Sequence, residues 1–160
     1  MIAVDSSALV SIVLGEADAE SLLDVLQREP SIVGAPTLLE AMIVIEARQG
    51  PDATRDLELL VDGAIDEVVA FGAEHSAAAA RAWRRFGKGR HPAGLNFGDC
   101  LAYAVADVAG VALLRDIAGK PIAVLRTELD RGILTAGRRN TWFLVAAIAG
   151  VLGRDTTLLI

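Results

Sequence analysis

Four short runs punctuate the chain: MIAV (residues 1–4), SIVGA (31–35), DEVVAF (66–71) and VALL (111–114). They are rich in Val, Ile, Leu and Ala, are too short for helices, and show little of the polar–apolar alternation of a half-exposed strand. Strands of this kind are buried on both faces, and a parallel sheet covered by helices is the arrangement that buries them. The stretches between them supply the helices. SSALVSIVLG is stopped by Gly15, and DAESLLDVLQRE is closed by Pro30. TLLEAMIVIEARQG takes Thr37 as its N-cap and Gly50 after its end, and PDATRDLELLVDGA carries Pro51 near its start. AEHSAAAARAWRRF and NFGDCLAYAVADVAG follow, the last ended by Gly110. Strand and helix alternate without an internal repeat, so the pattern predicts an α/β fold with a central parallel sheet flanked by helices.

A chain of 160 residues fits one domain, and 53% hydrophobic with 4% aromatic means a core of Ala, Val, Leu and Ile. Cys100 is the single cysteine, which excludes an internal disulfide and fits a reducing compartment. Asp5 interrupts the opening apolar run where a secretory leader would continue. The apolar run from Trp142 to Leu152 has 11 residues, short of the roughly 20 that a membrane span needs. The expectation is a cytoplasmic protein with no membrane segment. After Leu114 the pattern weakens. IAVLR (122–126) reads as a strand and WFLVAAIAGVLG (142–153) as either helix or strand. Residues 1–115 therefore read as the core, and 116–160 as an atypical C-terminal segment, part of the same domain or poorly packed.

The net charge of −6 is unevenly spread. From His75 to Gly98 there are five basic residues and no acid, which leaves −6 − 5 = −11 on the rest. An acidic protein with one basic patch holds a polyanion there and repels it elsewhere. Arg81, Arg84 and Arg85 read at first as a solvated helix face. The loop GKGRHPAGLN adds Lys88, Arg90 and His91 directly before Asp99, which favours phosphate binding. Trp83 and Phe86 suit either base stacking or core packing. His75 and His91 have no second His or Cys at ligand spacing, which argues against zinc.

Asp5 follows the first strand, and Glu40 and Asp99 lie in the first turns of their helices. Ligands of open parallel sheets bind at the carboxyl ends of the strands, where helix N-termini also gather. Three carboxylates there suit a hard divalent cation such as Mg²⁺. Each acid also reads as a cap: Thr37-x-x-Glu40 and Asn96-x-x-Asp99 are capping boxes, and Asp5-Ser6-Ser7 can cap a helix, each for about 1 kcal/mol. Taken singly, capping is the commoner role. Ile43 and Val44 after Glu40, and Ala102 and Tyr103 after Asp99, set these acids at the rim of apolar faces. Carboxylates at a core rim are costly unless paired or metal-bound. A strand-end Asp acting as a phosphoryl-transfer nucleophile would want a second acid two residues on, where Ser7 stands.

MIAVDSSALV, TLLEAMIVIEAR and FGKGRHPAGLNFGDCLAYA together resemble the PIN-domain ribonucleases, in particular the VapC toxins of bacterial VapBC toxin–antitoxin pairs, over about residues 1–114. The resemblance implies a three-layer fold and a pocket that binds Mg²⁺ or Mn²⁺ through Asp5, Glu40 and Asp99, with Ser6 and Asn96 as accessory polar residues. It implies cleavage of RNA (tRNA or rRNA), with Arg84, Arg85, Lys88 and Arg90 on flanking phosphates. It also implies a homodimer and a VapB-type antitoxin that covers or enters the pocket. One departure stands out. The family's Gly-Asp/Asn-Asp-Phe turn supplies a fourth acid after the last of these strands. Here RDIAGKPIAVLRTELDRG follows VALL, Ala118 and Gly119 stand where the acidic pair belongs, and Asp116 is the nearest candidate ligand. A C-terminus replaced by a frameshift would account for this. Two expectations follow: an Mg²⁺-dependent endoribonuclease toxin, or a VapC-like protein that binds antitoxin or RNA and cuts poorly.

Overall fold

Strand β1, Ile2–Val4, is buried along its whole length and lies inside the sheet. It pairs in parallel with β2, Ser31–Gly34, on one side and with β4, Ala112–Ile117, on the other. Strand β3, Glu67–Val69, pairs in parallel with β2 and closes that edge with Glu67 and Val68 exposed. A computed structural model describes residues 1–117, 120–126 and 143–146, with side chains for 1–115. Six α-helices are described, α1 Ser6–Leu14, α2 Ala19–Arg28, α3 Ala35–Gln49, α4 Thr54–Ala64, α5 Ala73–Phe86 and α6 Phe97–Ala109, with a 3-10 turn at Pro51–Ala53 before α4.

The alternation of side chains along the strands sorts the core into two layers. Ile2 and Val4 of β1, Val33 of β2 and Leu114 of β4 face one way. They pack with Leu9, Leu22, Leu26, Ile45 and Leu57 from α1, α2, α3 and α4. Ala3, Ile32 and Leu113 face the other way and pack with Ala82 of α5 and with Tyr103 and Val105 of α6. This is the expected helix–sheet–helix arrangement, and each of the four predicted strands forms within a few residues of its predicted place.

The sheet then runs further than expected. Its order is β3-β2-β1-β4-β5-β6, where β5, Lys120–Arg126, and β6, Phe143–Ala146, are both antiparallel to their neighbours. Only two residues separate β4 from β5, and a connection that short joins antiparallel strands, not parallel ones. IAVLR is thus a strand as expected, and 143–146 of WFLVAAIAGVLG is strand. The pairing shifts register between Arg115 and Ile117. Ala118, Gly119, the Asp116 side chain and residues 127–142 and 147–160 lie outside the described residues.

One helix starts elsewhere than predicted. Thr37 does not cap α3; it is its third residue, buried, with its hydroxyl unpartnered among the described residues. The N-cap is Gly34, the last residue of β2, and Pro36 occupies the first turn, where its fixed φ suits a helix and its missing N–H costs nothing. Glu40 therefore sits one turn deeper, and no Thr37–Glu40 capping box forms. Strand runs straight into helix at Gly34, and the residue there is glycine because β2 passes close to α6: a Cβ would lie 2.8 Å from Val105 Cγ2.

Gly34→Ala is expected to cost about 1–3 kcal/mol by overpacking, seen as a lower urea midpoint at unchanged slope. Gly63→Ala in α4, where a Cβ meets nothing within 4 Å, is expected to stabilise by roughly 0.5–1 kcal/mol.

Candidate active site

The site assembles at the carboxyl edge of the parallel strands. Asp5 directly follows β1, and its N–H donates to the Leu114 carbonyl at 2.8 Å, extending the sheet by one residue. It occupies the N-cap position of α1, yet its side chain makes no capping bond. The Ser7 hydroxyl donates to Oδ2 at 2.7 Å, while Oδ1 is buried without a hydrogen-bond partner among the described residues. Asp5 is only 2% exposed. Burial pushes its pKa up; Ser7 and the Arg115 guanidinium pull it back, and the Asp99 charge raises it further.

Glu40 reaches the same region from the second turn of α3. The Ser6 hydroxyl donates to Oε2 at 3.0 Å. Gly98 lies against the same carboxylate, and a Cβ at 98 would collide with both of its oxygens. Burial raises the Glu40 pKa, the Ser6 hydroxyl lowers it, and the charges of Asp5 and Asp99 raise it again.

Asp99 both caps and faces the site. Asn96 Oδ1 accepts from the Asp99 N–H at 2.9 Å, and Asp99 Oδ2 accepts from the Asn96 N–H at 2.8 Å, the reciprocal box the sequence predicted. That leaves Oδ1, which accepts from Arg115 Nη2 at 2.9 Å. Arg115 Nε lies 4.0 Å from Asp5 Oδ2 and is itself buried without a hydrogen-bond partner among the described residues.

Sequence reasoning missed Arg115. The available signal was its place: a basic side chain directly after the apolar run VALL, at the sheet edge where the carboxylates were expected. The three acids are near enough for each of Asp5 and Glu40 to feel the Asp99 charge. Among the described residues, no three His, Cys, Asp or Glu side chains stand together as a ready metal cage. The donor chemistry nevertheless suits a hard cation: carboxylate oxygens only, one of them buried and unpartnered.

Arg84, Arg85, Lys88 and Arg90 are all exposed on the C-terminal end of α5 and the loop that follows it. The Arg90 guanidinium lies 5.6 Å from the Trp83 ring centre, and that of Arg85 lies 5.0 Å from Phe86. Arg81 instead pairs with Asp107 at 3.1 Å. Phe86 packs against Tyr103 and His91. His75 Nδ1 accepts from the Gly72 N–H at the start of α5, a structural role. Cys100 is buried, and burial pushes its thiol pKa up. Among the described residues no helix is long and apolar enough to cross a membrane.

Residues 2–116 match the PIN domain family model. A ribonuclease VapC of Mycolicibacterium smegmatis is 46% identical over 112 residues, covering 69% of this chain and 87% of that protein. Ribonuclease VapC36 of Mycobacterium tuberculosis is 43% identical over 113 residues, covering 69% and 81%. Among solved structures, Mycobacterium tuberculosis VapC20, described as a sarcin-ricin loop cleaving toxin, aligns with a TM-score of 0.60 at 15% identity. It covers 74% of this chain and 92% of its own. A toxin–antitoxin complex from Klebsiella pneumoniae aligns with a TM-score of 0.52 at 14% identity, covering 71% and 83%. These two likenesses establish the fold.

Because its folded-state pKa is raised, Asp5 binds its proton more tightly folded than unfolded, so its ionisation costs stability as pH rises above the ordinary carboxyl range. Asp5→Asn is therefore expected to raise the melting temperature of the metal-free protein at pH 7, by about 2–4 °C for each kcal/mol relieved. The gain should shrink as pH falls toward 4, which thermal scans across that range would check. Gly98→Ala is expected to displace Glu40 and lower metal affinity at least about tenfold, measured by titration calorimetry.

Proposed function

The chain belongs to the PIN-domain family, and on that premise we propose that it is an endoribonuclease toxin of the VapC kind. In this reading it hydrolyses RNA phosphodiester bonds with Mg²⁺ or Mn²⁺ and is neutralised by a VapB-type antitoxin. The observation that carries this is the buried, half-unpartnered Asp5 carboxylate at the end of β1, with Asp99 near enough to act on it and Glu40 near enough to feel both charges. A protein tolerates such a group where a cation is to be bound.

Asp5, Asp99 and Glu40 would hold the metal, which when bound lowers the pKa of water and offsets charge on the leaving oxygen. The chain's own residues prepare that site. Ser7 fixes one Asp5 oxygen, Ser6 orients Glu40, and the Asn96 box locks the Asp99 rotamer so that one oxygen points away from the cap. Arg84, Arg85, Lys88 and Arg90, exposed on one segment, would bind the phosphates flanking the cut and hold the strand in register. A tRNA or rRNA target and a homodimer, drawn from the family resemblance, complete the reading, with a cytoplasmic location drawn from the single cysteine, the early acid at Asp5 and the short apolar run 142–152. Asp116 is proposed as a further ligand in place of the missing fourth acid.

The second reading, a VapC-like binder that cuts poorly, rests on Ala118 and Gly119 standing where the family's acidic pair belongs, and a guanidinium already pairs with Asp99 beside Asp5. One assay separates the two. Wild type, Asp5→Ala and Asp99→Ala are incubated with tRNA and rRNA in Mg²⁺ or Mn²⁺. Wild type is expected to cleave, each variant to lose more than about 100-fold, and chelation to abolish activity. Equal cleavage in all three rules out the nuclease site, and an inert wild type supports the binder.

A further inference from the structure

We propose that Arg115 is a resident counter-cation of Asp5 and Asp99, standing in the metal-free protein where a divalent ion binds and so setting the metal concentration at which the site loads. The proposal rests on the reading of Asp5 and Asp99 as metal ligands.

Four observations converge on it. The guanidinium takes the one Asp99 oxygen that the helix cap leaves over, at 2.9 Å. It also approaches Asp5 Oδ2 to 4.0 Å, the oxygen that Ser7 already orients. All three side chains are largely removed from solvent, at 20%, 3% and 11% exposure for Arg115, Asp5 and Asp99, so water screens the pairing little. Finally, the sheet register shifts between Arg115 and Ile117. Irregularities of that kind re-aim side chains, and this one begins at the residue carrying the charge.

The contact is incomplete, as a displaceable one must be. A charge-assisted N–H···O bond closes to about 2.7–2.9 Å. Arg115 achieves that only toward Asp99, while its Nε is buried and unpartnered among the described residues. A single positive charge faces two carboxylates, and among the described residues no cation pairs with Glu40. A divalent ion brings twice the charge and can use the Asp5 oxygen that Arg115 leaves unsatisfied. Loading is then an exchange, guanidinium out and metal in. The apparent metal affinity falls by the fraction of molecules in which the place is vacant.

The test titrates Mn²⁺ alone into the metal-free full chain by calorimetry, with melting temperatures in parallel. Arg115→Gln is expected to bind Mn²⁺ about tenfold tighter than wild type. Its metal-free melting temperature should drop, and saturating Mn²⁺ should restore it. Arg115→Lys keeps the charge and is expected to stay within about threefold of wild type. Unchanged or weaker binding by Arg115→Gln, with Asp5→Asn abolishing binding, overturns the role of Arg115 and leaves the metal site standing. A Lys variant as tight as the Gln variant also overturns it. No Mn²⁺ binding by any variant or by wild type removes the metal site and this proposal together. Should Arg115→Gln not fold without metal, wild type is titrated with Mg²⁺ and followed by NMR at the Arg115 Nε–H. Faster exchange of that proton with water on loading supports displacement, and unchanged exchange overturns it.

Discussion

The structure turns on one uncomfortable group, a carboxylate at the end of a strand that is buried on both faces. Strand β1 can sit inside the sheet only because Ile2, Ala3 and Val4 are apolar in both directions. The chain emerges from that environment at Asp5, still paired to Leu114 through its backbone. The side chain is caught where solvation is poor and the helix dipole of α1 offers only a fraction of the lost hydration. Ser7 and Arg115 relieve part of the cost, and one oxygen is left over. The arrangement is inefficient for stability and well suited to a group meant to bind a cation.

The other two acids are held by different devices, which is why the site needs several elements brought to one edge. Glu40 depends on close approach, since α3 and α6 can bring its carboxylate beside Gly98 only if residue 98 lacks a side chain. Asp99 depends on local chemistry, the Asn96 box that fixes one oxygen and frees the other. A loss of either would leave the fold intact and the charge constellation incomplete. The basic segment at the end of α5 and in the loop after it enters just ahead of that box, so the residues that would hold a polyanion lead directly into Asp99, one of the three that would hold a metal.

Much of this was legible in the sequence. The four parallel strands announced themselves because burial on both faces forces near-continuous apolar runs, and Asn96-x-x-Asp99 was read correctly because a capping box is a local pattern. The start of α3 was misplaced because Thr37 is a good cap by type, whereas the strand runs directly into the helix and Gly34 and Pro36 together make the transition. Arg115 escaped notice because the run VALL ends one residue earlier, and a charge after a strand looks like the beginning of a loop. The continuation into β5 and β6 was only half visible, since pairing direction depends on the length of the connection and not on side-chain pattern. The place of the missing fourth acid, at Ala118 and Gly119, falls outside the described residues.

Strand β3 carries a last consequence. It is three residues long, closes its edge of the sheet, and exposes Glu67 and Val68. A row of unpaired backbone groups at such an edge invites another chain to add a strand. Here the row is short and its first side chain is an acid, so two copies meeting edge to edge would find few hydrogen bonds to make and like charges opposed. The fold thereby guards one flank of an otherwise apolar sheet against fibrillar growth.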